Sequence, residues 1–274
     1  MSVQNYPNGI GGSAPGDSLD LARPLSTTGN IWYVSSLIGT DAASPAGQNR
    51  EKPLATIAQA VTNAADDDII VFLPGHTQTL TANQAIAKRL TLVGEGTTSG
   101  KPSVTFRIDM SNYGFTLSGS GIELRNMYFP ACLQNNVIGK ISITGTDASV
   151  LGCYFECGDT DKSPAVTIAG GADRPRIERS TFISTATLTS AQPQSAISGA
   201  VGTVVGLVMN SVVVSAGTVG FSNYSAIDLS TATFTRVKIE ALSLLLGADM
   251  ALGAGGTGRV NVQLATGGSR VSWG

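Results

Sequence analysis

Closely spaced carboxylates are the residues of this sequence that could do chemistry. Outside the N-terminal unit the densest acidic stretch is ECGDTDKS, in which Glu156, Asp159 and Asp161 precede Lys162. Carboxylate oxygens are the ligands that Ca²⁺ prefers, so these three acids could hold a cation. Their spacing matches no known calcium-binding loop. We therefore predict a solvated turn here, with cation binding as the alternative.

Three further acids, Asp66, Asp67 and Asp68, follow a helical pattern and precede a buried apolar strand. The helix dipole disfavours acidic residues at the end of a helix, so another role must place them there. We predict that they form a turn, with metal binding as the alternative.

Recognised catalytic and cofactor motifs are missing from the sequence. His76 is the one histidine, and a single histidine can form neither a catalytic triad nor a His-rich metal site. The glycine-rich runs GEGTTSG and GAGGTG lack the Lys-Ser/Thr ending of a phosphate-binding loop. We predict a structural role for His76, and no catalytic residue, metal site or cofactor.

The chain is poor in charge. Charged residues make up 13% of it and the formal net charge is −2, whereas about 25% charged residues is typical. The basic residues form no stripe that could neutralise a run of phosphates, so we expect no nucleic-acid partner. No apolar stretch approaches the roughly 18 residues of a membrane span, and the N-terminus lacks a signal-peptide pattern. We therefore expect no membrane partner and synthesis in a host cytoplasm.

The three cysteines, Cys132, Cys153 and Cys157, cannot all pair with one another. The last two also lack the two-residue spacing of a redox or zinc motif. We expect all three to be reduced and mostly buried.

Residues 1–30 are rich in Gly, Pro, Ser and Asp and show no helical or strand periodicity. They form an N-terminal arm, which is either a disordered tail or an extended segment that docks onto a neighbouring subunit. In the second case the partner-binding residues are its spaced apolar groups, Tyr6, Ile10, Leu19, Leu21 and Leu25.

The main domain, residues 31–274, opens with a strand, a polar loop, a helix and a second strand. The apolar residues of the helix recur at helical spacing over about residues 53–66: Leu54, Ile57, Ala58, Val61 and Ala65. The run IIVFL that follows is typical of a strand buried on both faces. We predict that this helix caps the first edge of the structure behind it.

Beyond residue 77 a repeat appears. Blocks such as LRNMYF, VLGCYF and IERSTF end with an apolar residue, and those terminal positions are 26, 27, 31 and 26 residues apart: Phe129, Phe155, Phe182, Val213 and Ile239. A second short strand precedes each block. Such a period without helices predicts an all-β, single-domain parallel β-helix with one N-terminal capping α-helix. The apolar closing segment, about residues 240–274, is expected to cap the last coil or to lie in a subunit interface.

The opening unit resembles that of the pectate-lyase-like right-handed parallel β-helix superfamily. The pieces that carry the resemblance are a G-x-D loop at residues 39–41, a P-x-x-T-I-x-x-A helix at 53–60 and an apolar-x-P-G strand at 72–75. The resemblance implies the fold. It does not imply one activity, because lyases, hydrolases, isomerases and virus structural proteins share it.

A polysaccharide-cleaving β-helix needs acids stacked on one face of successive coils. Counting back six residues from each terminal position gives Glu123, Ser149, Arg176, Leu207 and Thr233. Counting back four gives Arg125, Leu151, Glu178, Met209 and Thr235. Each column then holds a single acid, so we expect a protein that is not an enzyme.

The function expected from these features is that of a bacteriophage virion structural protein, which decorates or cements the capsid through its arm and β-helix faces. Its expected partners are the major capsid protein and copies of itself in a homotrimer, and its expected location is the virion. The alternative is a tailspike-like or secreted polysaccharide lyase or hydrolase.

Overall fold

A computed structural model describes residues 29–108, 113–132, 140–159, 163–187, 195–216, 221, 226–245, 248, 250–252, 257–264 and 271–273, and beyond Met250 it describes the backbone only. The first half contains β1 (Ile31–Val34), α1 (Ile57–Asn63), β2 (Ile69–Phe72), β3 (Thr77–Leu80), β4 (Gln84–Ile86), β5 (Thr91–Gly94), β6 (Thr97–Thr98), β7 (Lys101–Pro102), β8 (Thr105–Ile108), β9 (Phe115–Leu117), β10 (Glu123–Arg125) and β11 (Tyr128–Phe129). The second half contains β12 (Ile141–Ile143), β13 (Ser149–Leu151), β14 (Tyr154–Cys157), β15 (Val166–Ile168), β16 (Arg176–Glu178), β17 (Thr181–Ser184), β18 (Ile197–Gly199), β19 (Gly202–Val205), β20 (Val208–Asn210), β21 (Val213–Ser215), β22 (Ile227–Leu229), β23 (Ala232–Leu245), β24 (Met250–Leu252), β25 (Thr257–Leu264) and β26 (Val271–Trp273).

Strands of successive coils stack in parallel into three columns. The first column runs β1-β2-β5-β10-β13-β16-β20-β23, and the second runs β3-β8-β11-β14-β17-β21-β23. The third runs β4-β9-β12-β15-β18-β22-β24-β26, while β19 and β25 both pair with β23. This is the predicted right-handed parallel β-helix, which the structure confirms.

The corner between the first and second columns has the same backbone conformation in coil after coil. One residue at this corner has a positive φ in five successive coils: Asn126 (52°), Gly152 (60°), Arg179 (49°), Ser211 (53°) and Ala241 (49°). In the first of these, the Asn126 side chain donates to a main-chain carbonyl of the preceding coil at 2.6 Å. The repeated corner holds the outer faces of the two columns at a constant angle along the solenoid.

The predicted helix is present and shorter than its expected span. Helix α1 begins at Ile57, because Asp41 accepts hydrogen bonds from the N–H groups of Ala55 and Thr56, and Thr56 caps the helix through Gln59. Ile57, Ala60 and Ala64 are buried on its inner side. Of the other predicted positions, Leu54 is buried ahead of the helix and Val61 is half-buried against the core, whereas Ala58 and Ala65 are exposed.

The coil register agrees with the predicted repeat through three blocks and then departs from it. Leu124 pairs with Val150, and Val150 with Ile177, as expected. Ile177 then pairs with Met209, and Met209 pairs with Ile239. The repeat had predicted Val208 and Phe234 at these two positions. Phe234 pairs instead with Val204 of the additional strand β19. The residue of β23 that continues the first column is therefore Ile239, five residues after Phe234.

A continuous apolar cluster fills the interior. Its centre is a ladder of parallel rings from three coils, in which Phe129 and Phe155 lie 4.9 Å apart and Phe155 and Phe182 lie 4.6 Å apart. All three cysteines are buried and none forms a disulfide, as predicted. Within the described residues no helix is long and apolar enough to span a membrane.

His76 is fully buried between the rings of Phe72 and Phe106, which lie 5.2 and 5.5 Å away. Its Nδ1 accepts from the Ser36 N–H at 2.9 Å, so the ring is neutral with its proton on Nε2. Nε2 has no hydrogen-bond partner among the described residues. Burial lowers the pKa of His76 to about 4, although the nearby Gln78 side chain opposes the shift.

The buried His76 should make the stability of the protein depend on pH. An unfolded chain protonates His76 near its ordinary pKa of 6.5, whereas the folded chain resists protonation down to about 4. The free energy of unfolding should therefore fall as the pH drops through this window, by on the order of 3 kcal/mol. Urea unfolding at several pH values measures it, and His76→Asn, which keeps an acceptor for Ser36, should flatten this part of the profile. If His76→Asn has the same dependence of the unfolding free energy on pH as the wild type, His76 is not the group responsible.

The second prediction concerns the ring ladder. Phe155→Ala removes the central ring and should lower the free energy of unfolding by about 3–5 kcal/mol, because a buried cavity remains. Thr181→Ala changes an outward-facing residue of the same column and should stay within about 0.5 kcal/mol of the wild type. Equal losses for the two variants in urea unfolding would rule out the ladder as the main support of these coils.

Candidate functional site

The acids of the N-terminal turn have structural partners. Asp66 accepts from the Arg89 N–H at 2.8 Å, and Asp67 forms an ion pair with the same arginine. Asp68 is buried and accepts from Trp32 Nε1 at 2.7 Å and from two main-chain N–H groups. These hydrogen bonds agree with the predicted turn and give all three carboxylates a role without a metal.

The two described acids of the stretch ECGDTDKS, Glu156 and Asp159, have different partners. Asp159 accepts from the N–H and hydroxyl of Thr187, at 2.9 and 2.8 Å. Asp161 and Lys162 lie outside the described residues. Across the part of the chain that the structure describes, no group of three His, Cys, Asp or Glu side chains could hold a metal ion. The cation site considered for this stretch therefore stays a prediction, and Glu156 belongs to a different cluster.

The predicted acid columns are wrong because the register shifts at the fourth coil. The column that holds Arg125, Leu151 and Glu178 continues with Asn210 and Glu240. It contains two acids instead of one. Both are paired on the same strand, Glu178 with Arg176 at 2.5 Å and Glu240 with Lys238 at 3.0 Å. This outer face therefore consists of neutralised pairs.

A cluster with a different composition lies on the outer face of the second column. The Lys101 ammonium is 2.5 Å from Glu156 Oε1, and the Tyr128 hydroxyl donates to Glu156 Oε2 at 2.7 Å. The same ammonium lies 5.1 Å from the centroid of the Tyr128 ring and 4.9 Å from that of Tyr154. We call these four residues, Lys101, Tyr128, Tyr154 and Glu156, the Lys101 cluster.

Strand register and one inserted hairpin assemble the cluster. Tyr128 and Tyr154 are direct partners in neighbouring coils, and their rings meet edge to face with centroids 5.8 Å apart. Glu156 follows Tyr154 by two residues, so it points to the same side of strand β14. Lys101 is delivered by the antiparallel hairpin β6–β7, which is inserted between β5 and β8.

The electrostatics of the cluster keep both of its donors protonated. The hydrogen bond to Glu156 raises the pKa of Lys101, against the opposing effect of partial burial. Burial raises the pKa of Tyr128 well above its usual range, and the hydrogen bond to Glu156 adds to the shift. At neutral pH the cluster is thus an ammonium and a phenol that share one carboxylate.

Arg107 adds a second cation beside the cluster. It is exposed on strand β8, and its charge opposes the upward shift in the pKa of Tyr128. Thr105, two residues earlier on the same face, pairs with Tyr128. Arg107 therefore lies in the same outward column as Glu156, two coils away, which corresponds to about 10 Å at the usual strand spacing.

This arrangement combines three chemical capacities. The tyrosine pair offers a surface on which a sugar ring can stack. Lys101 and Arg107 can bind an anionic group, and Glu156 with Tyr128 can accept and donate a proton. Sequence reasoning considered Glu156 only as a cation ligand and missed Lys101, Tyr128 and Tyr154. The signal for the tyrosines was their shared place in the blocks LRNMYF and VLGCYF.

The predicted partner-binding residues Tyr6, Ile10, Leu19, Leu21 and Leu25 all lie outside the described residues. The described parts of the expected closing segment lie in strands β23, β24, β25 and β26 and continue the parallel coils.

Comparison with solved structures finds polysaccharide lyases. A rhamnogalacturonan lyase matches with a TM-score of 0.59 at 13% identity, over 89% of this chain and 63% of that chain, so this chain spans less than two thirds of that protein. Pectate lyase Pel9A matches with a TM-score of 0.48 at 11% identity, over 88% of this chain and 78% of that one. No protein-family model matches the sequence, and a search of curated proteins finds no significant match.

The expectation that the chain is not an enzyme is corrected by this comparison, because the similar structures are lyases. Nothing in it points to a virion or capsid role. At 13% identity the similarity establishes the architecture alone. The chain thus has a right-handed parallel β-helix fold similar to that of the rhamnogalacturonan lyase.

Proposed function

We propose that this protein is a polysaccharide lyase that acts on an acidic polysaccharide at the Lys101 cluster. The observation that carries the proposal is the Lys101 ammonium above two tyrosine rings, hydrogen-bonded to a carboxylate that a phenol also contacts. The fold, shared with a rhamnogalacturonan lyase, supports it as a scaffold for such chemistry.

Substrate binding uses the outward tyrosine pair and the two cations. A sugar ring stacked on Tyr128 and Tyr154 places its carboxylate within reach of Lys101 or Arg107. Neutralising that carboxylate makes the hydrogen on the adjacent ring carbon more acidic, which β-elimination requires. When Lys101 turns to the substrate, Glu156 Oε1 loses its partner and becomes a free proton acceptor.

The elimination step uses Glu156 as the base and Tyr128, which stays hydrogen-bonded to it, as the acid. The Glu156 carboxylate takes the proton from the ring carbon next to the uronate carboxyl group. The electron pair of that C–H bond forms a double bond to the neighbouring carbon as its bond to the glycosidic oxygen breaks. Tyr128 donates its proton to the departing oxygen and is reprotonated by Glu156 across their 2.7 Å contact. The raised pKa keeps the Tyr128 phenol protonated at neutral pH, as a proton donor must be.

Hydrolysis is less well matched to these residues. Glycosidases use two carboxyl groups, one on each side of the scissile bond. Glu156 is the one carboxylate of the Lys101 cluster, and the described acids nearby are engaged elsewhere, Glu123 with Arg125 and Asp159 with Thr187.

The expected major capsid protein partner, the homotrimer and the virion location stay predictions. They rest on the β-helix faces and on the N-terminal arm, of which residues 1–28 lie outside the described residues.

The third prediction tests the proposed activity. Incubation with polygalacturonate, alginate or rhamnogalacturonan should produce unsaturated uronate ends, which are followed by their ultraviolet absorbance. Glu156→Gln should lower the rate by about 10²–10⁴-fold, because it removes the proton acceptor, and Tyr128→Phe by about 10²-fold.

Glu178→Gln is the matched control, since it neutralises a carboxylate paired with a cation outside the cluster. Its rate should stay within about twofold of the wild type. Absence of cleavage of all three polymers by the wild-type protein, or equal losses for the Glu156 and Glu178 variants, would contradict the proposal.

A further inference from the structure

The hairpin that carries Lys101 has little structure of its own. Its strands β6 and β7 have two residues each, and Thr97 and Thr98 are exposed. A two-stranded ribbon of this length is marginal without external contacts. Gly96 and Gly100, with φ of 81° and 79°, lie at its neck and at its tip. The stability of the hairpin therefore depends on the contacts of its side chains with the rest of the protein.

Lys101 supplies contacts between the hairpin and the solenoid. Its ammonium bonds Glu156 at 2.5 Å and lies over both tyrosine rings. The lysine side chain is 35% exposed and that of Glu156 is 17% exposed, so the pair is partly shielded from water. An ion pair of this kind together with two cation–π contacts stabilises the closed hairpin.

The closed hairpin also blocks the site to which Lys101 contributes. The ammonium covers the stacking surface of Tyr128 and Tyr154, and both oxygens of Glu156 accept a hydrogen bond. A ligand that binds on the tyrosines must displace Lys101. A ligand group that replaces Glu156 as the partner of Lys101 must be an anion. A neutral sugar offers no such exchange.

We infer that residues 97–102 form a latch, closed by the Lys101–Glu156 ion pair and opened by an anionic saccharide that takes Lys101 from Glu156. Lys101 thereby selects acidic over neutral saccharides, and its transfer releases the carboxylate of Glu156 and the tyrosine surface in one movement. The opening by a saccharide rests on the proposed function, because it concerns the same site. The closed latch itself does not depend on any catalytic activity.

Hydrogen–deuterium exchange of the main-chain amides of residues 97–103 tests the latch in the full chain. Lys101→Met and Glu156→Gln each remove the ion pair and should speed this exchange about tenfold, which corresponds to about 1.4 kcal/mol. Lys238→Met, which breaks a more exposed pair with Glu240 on a distant coil, should leave it unchanged.

An oligogalacturonate should speed the same exchange in the wild type, and its fully methyl-esterified, uncharged form should not. In Lys101→Met the oligogalacturonate should have no further effect. Unchanged exchange in both cluster variants, or an equal response to the acidic and the esterified oligosaccharide, would overturn the latch. If the variants respond as expected but no acidic polymer is cleaved, the latch stands and the lyase proposal fails.

Discussion

Parallel hydrogen bonding between equivalent strands of successive coils is the interaction on which the rest of the structure depends. It places the same position of each repeat one above the next, so inward apolar residues extend the interior and outward residues extend the surface. The ring ladder of Phe129, Phe155 and Phe182 is the interior result. The pairing of Tyr128 with Tyr154 is the surface result of the same register.

Much of the fold could be predicted because each repeat places large apolar and polar side chains at the same positions. The strand blocks ending at Phe129, Phe155 and Phe182 fixed three coils correctly, since each large ring has one possible inward position. The fourth block offered apolar residues at both Val208 and Met209, and at both Val213 and Val214, so a shift of one residue left its pattern intact. That ambiguity carried over into the acid columns and concealed that Glu178 and Glu240 share one column.

The Lys101 cluster was only partly accessible from the sequence. Its two tyrosines occupy the same place in neighbouring blocks, and a test for repeated outward aromatic residues would have found them. Lys101 lies 55 residues before Glu156 in an inserted hairpin that belongs to no repeat, so spacing gives no sign of their contact. The acids that did attract attention, Asp66, Asp67 and Asp68, hold the entry to the first coil together through Trp32 and Arg89.

A crystal structure of the protein with a bound acidic oligosaccharide tests the central claim most directly. The account predicts a sugar ring stacked on Tyr128 and Tyr154, its carboxylate within hydrogen-bond distance of Lys101 or Arg107, and residues 97–102 displaced from Glu156. An oligosaccharide bound along the ion pairs of the first column, with the Lys101–Glu156 contact intact, would contradict it.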